Sequence, residues 1–329
     1  MSASTFQIER ALPATHHTPH GATGTTGTAP TAVLHQPSLT TTVPKEYVHR
    51  ASVAEVMLTG WRRRDEHRFT VSAQWPRLHG FFATVDGHHD PLLVAETIRQ
   101  AGLLLAHTEF AVPLGHQFLM WDLSVDTRPE HLLITSTPAA PEIEVTCTDI
   151  KRRGTTISGL RLDVVIRRDG HIAATGAASF NCTSPAVYQR LRAARIGHNA
   201  PAPLPLTSPL APQDVGRLSP TDVVLSPTPQ PDRWQLRADT RHPVLFDHPV
   251  DHIPGMVLLE AARQATTAHL GQPCLPTAIH SHFTRYAELD TPCLITARTL
   301  THNPTQPQQI LITGHQDNTP IFTTTITTT

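Results

Sequence analysis

Apolar residues fall at helical spacing in two stretches of the chain and in short β-rich runs elsewhere. Leu92, Ala95, Ile98, Gly102 and Leu105 recur every three or four residues, which marks one face of a helix. Asp90 can cap that helix, and Pro91 suits its first turn, where a missing N–H costs nothing. A second helix is predicted after Pro254-Gly255, where glycine lets the backbone approach a ligand closely. Runs mixing Val, Ile, Thr and Phe between Gly, Pro, Asn or Asp read as strands. In the first block these are 52–60 and 68–75 before the helix, then 117–125, 131–136, 142–147, 155–168 and 171–180 after it. The second block has 222–226 and 233–238 before its helix, then 278–289, 293–300, 308–316 and 320–329. One long helix followed by many antiparallel-type strands is not the βαβα rhythm of a doubly wound sheet.

The two blocks read as copies of one unit. Residues 88–101 align without gaps on 252–265, at a constant offset of 164. His88 meets His252, Glu96 meets Glu260, Arg99 meets Arg263, Gln100 meets Gln264 and Ala101 meets Ala265. The expected fold is therefore α+β, a tandem hotdog. Each repeat is a curved antiparallel sheet around a central helix, and the repeats form a pseudo-dimer within one chain, edge to edge, which protects open strand edges. The expected organisation is a disordered tail over 1–42, repeat 1 over 43–190, a linker over 191–214 and repeat 2 over 215–329. The linker begins a punctuated stretch with nine prolines between Pro201 and Pro231, a density that favours an extended connector.

Composition narrows the function. Hydrophobic residues make up 39% of the 329 positions, enough to build a core. A net charge of -1 argues against a dedicated nucleic-acid binder. No apolar run is long enough to span a membrane, and the N-terminus lacks the pattern of a secretory signal. The four cysteines are dispersed without CxxC and read as small buried hydrophobes in a reducing compartment. A cytoplasmic protein is expected.

The candidate chemistry lies on the two helices. Glu260, Arg263 and Gln264 form an i, i+3, i+4 set on one face, and Glu96, Arg99 and Gln100 repeat it. The bland reading is a pair of intrahelical ion pairs. Against it, burying the same charges twice in helices that otherwise read as core is costly, which marks them as functional candidates. His88 and His252 precede their helices by short loops and can curl back over the helix N-termini. His88, His89 and Asp90 resemble a metal triplet, but no HExxH or second ligand cluster accompanies them, so neither metal nor cofactor is expected. No GxSxG, P-loop or strand-borne GxGxxG is present. The short basic runs 62–64, 152–153 and 167–168 read as solvated faces, with docking of an acidic carrier protein as the alternative.

At these residues the chain resembles the A-factor synthase family. The resemblance rests on VHRASVAEVMLTGWRRRDEHRFTVSAQWPRLHGFF (48–82), DPLLVAETIRQAGLLLAH (90–107), GHQFLMWDLSVDTRPE (115–130) and DHPVDHIPGMVLLEAARQA (247–265). The last segment is also distantly similar to the hotdog dehydratases of fatty-acid synthesis. The resemblance implies an acyltransferase that moves a β-ketoacyl group from acyl carrier protein to dihydroxyacetone phosphate. It is the first step toward a gamma-butyrolactone, butenolide or furan signal that controls antibiotic production. Such transfer needs a base, an oxyanion donor and a cation for phosphate. Glu260 is the expected base, Arg263 a ligand for the phosphate or a charge-orienting group, and the backbone after Gly255 the oxyanion donor. His88 and Glu96 complete the expected catalytic set, with Arg99, Gln100, His252, Gly255 and Gln264 binding substrate. The dehydratase pattern further implies shared sites, with His88 facing Glu260 and His252 facing Glu96. The alternatives are a carrier-linked dehydratase or thioesterase, and a non-catalytic protein that binds acyl ligands.

Overall fold

The computed structural model describes residues 40–196, 201–300 and 306–328. Most of the expected N-terminal tail therefore lies outside the described residues. In the first half, β1 (Leu58–Arg63) and β2 (Arg68–Ala73) precede helix α1 (Pro91–Thr108). Strands β3 (Gln117–Thr127), β4 (Glu142–Arg153), β5 (Thr156–Arg168) and β6 (His171–Thr183) follow it. Helix α2 (Pro185–Leu191) leads into the second half. There β7 (Leu225–Pro227) and β8 (Arg233–Leu236) precede α3 (Gly255–Leu270), and β9 (Pro276–Phe283), β10 (Leu294–Thr299), β11 (Gln308–Gln316) and β12 (Thr319–Thr328) come after.

All twelve strands form one sheet, in the order β1-β2-β4-β5-β6-β3-β9-β12-β11-β10-β8-β7. The order reads alike from both ends, so the halves are related by a pseudo-twofold axis at the β3–β9 seam. There Leu123 pairs with Ser281 and Val125 with Ile279, antiparallel. Alternation along β4 shows why one face packs inward: Ile143, Val145 and Cys147 are buried between exposed Glu142, Glu144 and Thr146. The inward faces wrap α1 and α3, which touch each other near the axis. Helix α1 starts as its sequence predicts, with Asp90 Oδ1 accepting the Leu92 N–H at 2.8 Å. Among the described residues no helix is long and apolar enough to cross a membrane.

Three local expectations change. Residues 131–136 form no strand. A 3-10 turn, Pro129–His131, opens the segment, and the Arg168 guanidinium takes the carbonyls of His131 (3.4 Å) and Leu133 (2.5 Å) that a ladder would use. The expected strand over 52–60 begins only at Leu58, because a turn capped by Ser52 occupies Val53–Glu55. The start of the expected linker is docked, since Arg192 and Arg195 pair with Asp251, Glu288 and Asp290. The basic runs are dispersed, with Arg62, Arg152 and Arg153 exposed and Arg168 buried.

Candidate active site

Glu96 is fully buried on α1, beside Arg99 and Gln100. Arg99 meets it with Nε–Oε2 and Nη2–Oε1 contacts of 2.8 Å each, and Gln100 Nε2 donates to Oε1 at 2.6 Å. Arg50, which enters before β1, adds a contact of 2.7 Å. Helix α3 repeats the arrangement. Arg263 donates to Glu260 at 3.0 and 2.7 Å, Arg217 at 2.8 and 2.5 Å, and Gln264 Nε2 to Oε1. Burial disfavours both charged carboxylates, but the flanking guanidiniums outweigh it and hold each at about 2. A carboxylate so lowered is a poor proton acceptor near neutral pH. The glutamines have a visible job. Gln100 takes the Met57 N–H and the Glu55 carbonyl, and Gln264 takes the Val224 N–H and the Asp222 carbonyl, so each ties its half's incoming chain to its helix.

Arg50 and Arg217 lie outside the helical repeat that singles out the triads. Their signal is an R-x-S-x-x-[ED]-V pattern at 50–56 and 217–223, spaced 167 apart. The pattern is short, and neither copy touches the helical repeat in sequence. Each arginine crosses to the other half, with Arg50 Nη1 donating to the Val244 carbonyl at 3.0 Å and Arg217 Nη1 to the Phe81 carbonyl at 2.5 Å.

The two centres differ in access. Phe81 stacks on Arg217 with its ring 4.2 Å from the guanidinium carbon, and Arg217 and Arg263 side chains are 2% and 4% exposed. On the other side Val244 replaces the aromatic ring, and Arg99 is 21% exposed. Arg50 and Arg99 line a cavity of about 710 Å³ whose apolar wall includes Leu103, Phe118, Met120, Leu258 and Phe283. Gly255 lies on that wall, at the N-terminus of α3. No side chain caps that terminus; Val257 N–H donates to the Pro254 carbonyl at 3.0 Å, and the Gly255 and Met256 N–H groups, which an α-helix cannot bond internally, are left for a ligand. The equivalent end of α1 is closed by Asp90 and Pro91. A second cavity of about 820 Å³ shares His49, Arg50, His248 and His252 with the first.

The structure thus brings Arg99, Gly255 and His252 to one cavity, with Glu96 directly behind Arg99. It keeps Glu260, Arg263 and Gln264 off the walls of the described cavities. His88 lies apart from them too, its Nδ1 3.2 Å from the Val85 carbonyl of its own turn. No histidine is among the described hydrogen-bond partners of either glutamate. Among the described residues no group of three or more His, Cys, Asp or Glu is arranged to hold a metal ion.

Fold and cavity together define a single-chain double hotdog with a cavity beside the Arg50–Arg99 cluster, whereas the matching Arg217–Arg263 cluster is buried. The chain belongs to the A-factor biosynthesis hotdog domain family, whose profile matches residues 31–184 and 198–329. It is 55% identical, over 88% of this chain and 98% of the relative, to a 2-oxo-3-(phosphooxy)propyl 3-oxoalkanoate synthase from Streptomyces virginiae. A protein of the same name from Streptomyces coelicolor is 42% identical over 86% of this chain and 90% of its own. Among solved structures, an acyl-ACP thioesterase from Bacteroides thetaiotaomicron superposes with a TM-score of 0.50 at 9% identity, covering 79% of this chain and 98% of that one. That likeness speaks to the fold alone.

Proposed function

We propose that the protein transfers a β-ketoacyl group from a carrier-protein thioester to dihydroxyacetone phosphate in the cytoplasm, forming a 2-oxo-3-(phosphooxy)propyl 3-oxoalkanoate. The observation that carries this reading is the 55% identity, along 88% of the chain, to a synthase of that product. The cavity has the matching chemistry. Its apolar wall suits an acyl chain, its size falls in the ordinary range for small-ligand sites, and the neighbouring cavity that shares His49, Arg50, His248 and His252 with it gives a carrier's thiol arm a way in. The uncapped N-terminus of α3 at Gly255 and Met256 polarises the thioester carbonyl, because helix N-termini stabilise developing negative charge. Arg99, with Arg50 beside it, holds the phosphate, since a guanidinium grips two oxygens at once.

In this reading Glu96 orients Arg50 and Arg99 rather than moving a proton. Glu260, Arg263 and Gln264 hold the second half together, and His88 stabilises its own turn. The test is incubation of the purified protein with β-ketoacyl carrier protein and dihydroxyacetone phosphate, read by mass spectrometry. Formation of the phosphorylated ester, with thiol release only when the triose phosphate is present, supports transfer. Thiol release without it indicates a thioesterase, loss of water a dehydratase, and tight binding without turnover an acyl-binding protein.

A further inference from the structure

His252 stands at the end of a chain of charged hydrogen bonds. Its Nδ1 lies 2.9 Å from Asp251 Oδ1. Asp251 in turn accepts from the Tyr188 hydroxyl at 2.6 Å and from Arg192 Nε at 2.8 Å. Arg192 is anchored on its far side by both oxygens of Glu288, at 2.6 and 2.8 Å. Because a carboxylate only accepts, Nδ1 must carry the proton, which leaves Nε2 as a lone pair. Nε2 has no partner among the described residues, and the ring lies on the walls of both cavities. Tyr286 meets the His252 ring edge-on, 4.9 Å between centroids. Its hydroxyl is buried without a hydrogen-bond partner among the described residues, an orphaned polar atom that calls for a ligand. Burial pushes that phenol up to about 12, so it stays protonated and able to donate.

We propose that His252 is the general base of the transfer, and that Asp251, clamped by Tyr188 and Arg192, is the positioning residue that fixes its tautomer and ring plane. The inference rests on the acyltransferase reading above. Nε2 takes the proton of the triose hydroxyl as its oxygen attacks the thioester carbonyl and the C–O bond forms. The tetrahedral intermediate then collapses, the C–S bond breaks, and the same proton passes from Nε2 to the leaving sulfur. Ester and free thiol result, and the imidazole is again neutral. Burial opposes the charge on Asp251, yet hydrogen bonds from His252, Tyr188 and Arg192 hold it well below the usual carboxylate range. Asp251 is therefore an anion when it accepts from the His252 ring. The other charged or titratable groups around the pair are Tyr188, Arg192 and Tyr286, which contact His252 or Asp251, and His49, Arg50, His248 and Glu288, which lie with His252 on the walls of both cavities.

The test measures ester formation by the full-length protein over a pH series. His252→Ala is expected to lower kcat about 10²–10⁴-fold, to leave the melting temperature unchanged and to regain part of its activity with added imidazole. Asp251→Asn is expected to lower kcat with little change in KM. It should also move the acid limb of the kcat profile to lower pH, because the imidazolium loses its anionic partner. Either substitution leaving kcat within about threefold of wild type, well short of a general base's contribution, overturns the proposal. So does loss of activity with an unchanged acid limb in Asp251→Asn and no imidazole rescue in His252→Ala. If the wild-type protein makes no ester at all, the transfer reading itself has failed, and that outcome is separate from failure of the base assignment.

Discussion

At the scale of single residues, the chemistry is decided by what each charge is next to. Glu96 and Glu260 are each followed by Arg and Gln three and four residues on, and both are lowered to about 2. The difference between their centres comes from Phe81 against Val244, two residues outside the aligned helices. The charged triads were legible because burying a carboxylate, a guanidinium and an amide on one apolar helix is costly enough to need a reason. The arginines that complete them were not, since Arg50 and Arg217 arrive from loops. Asp251 adjoins His252 in sequence, but Tyr188 and Arg192 meet it only through the fold. Gly255 gives a clean test at this scale. A Cβ there meets only Phe283 ring carbons, at 3.7 and 3.8 Å, with no positive φ. Gly255→Ala should keep stability within about 0.5 kcal/mol, as for substitutions away from packed features. It should slow transfer by crowding the N–H groups that face the thioester, and comparing thermal melts with kcat checks this.

At the scale of elements, both helices and nearly all the strands follow from periodicity, because one-sided burial writes itself into the sequence as alternation. The failures have a common physical form: a side chain took over backbone groups that a ladder would have used. Arg168 does this at 131–136, and Ser52 with Gln100 does it ahead of β1. Such substitutions leave no periodic trace. Close packing of helix on sheet is similarly silent until the elements meet. At Gly176 on β6, an added Cβ would collide with the Ser124 carbonyl of β3 and with Ile98 of α1. Backbone cannot swing aside as a side chain can, so Gly176→Ala should cost about 1–3 kcal/mol, the usual penalty of overpacking. Chemical denaturation, with the midpoint falling at constant slope, would show it.

At the scale of the whole molecule, duplication was legible from one helix pair, whereas the asymmetry that leaves one arginine cluster on a cavity wall and buries the other was not. The seam carries two predictions. A chain cut within 197–200 should reassemble when both halves are present. The first half alone should aggregate, because β3 would become an open edge; light scattering of each half and of the mixture reports this. Acid should also unfold the protein in stages. His49, desolvated and facing His107 and Arg99, is lowered from 6.5 to about 3, so the unfolded chain binds that proton first. Its contribution to stability is complete above pH 6.5 and is lost as pH falls toward 3. Glu96 and Glu260, lowered from 4.5 to about 2, add a further loss below pH 4.5, consistent with linkage. Thermal melts across pH 3–7 should therefore fall slowly at first and then more steeply. Catalysis in the cavity beside Arg50 and Arg99 alone is tested most directly by KM for dihydroxyacetone phosphate in Arg99→Gln and Arg263→Gln. Loss of a bound charge pair costs about 1.5–3 kcal/mol, so KM should rise at least about tenfold in Arg99→Gln. Folded Arg263→Gln should keep a KM close to that of the wild-type protein. A raised KM in Arg263→Gln, with Arg99→Gln unaffected, would contradict catalysis in that cavity alone.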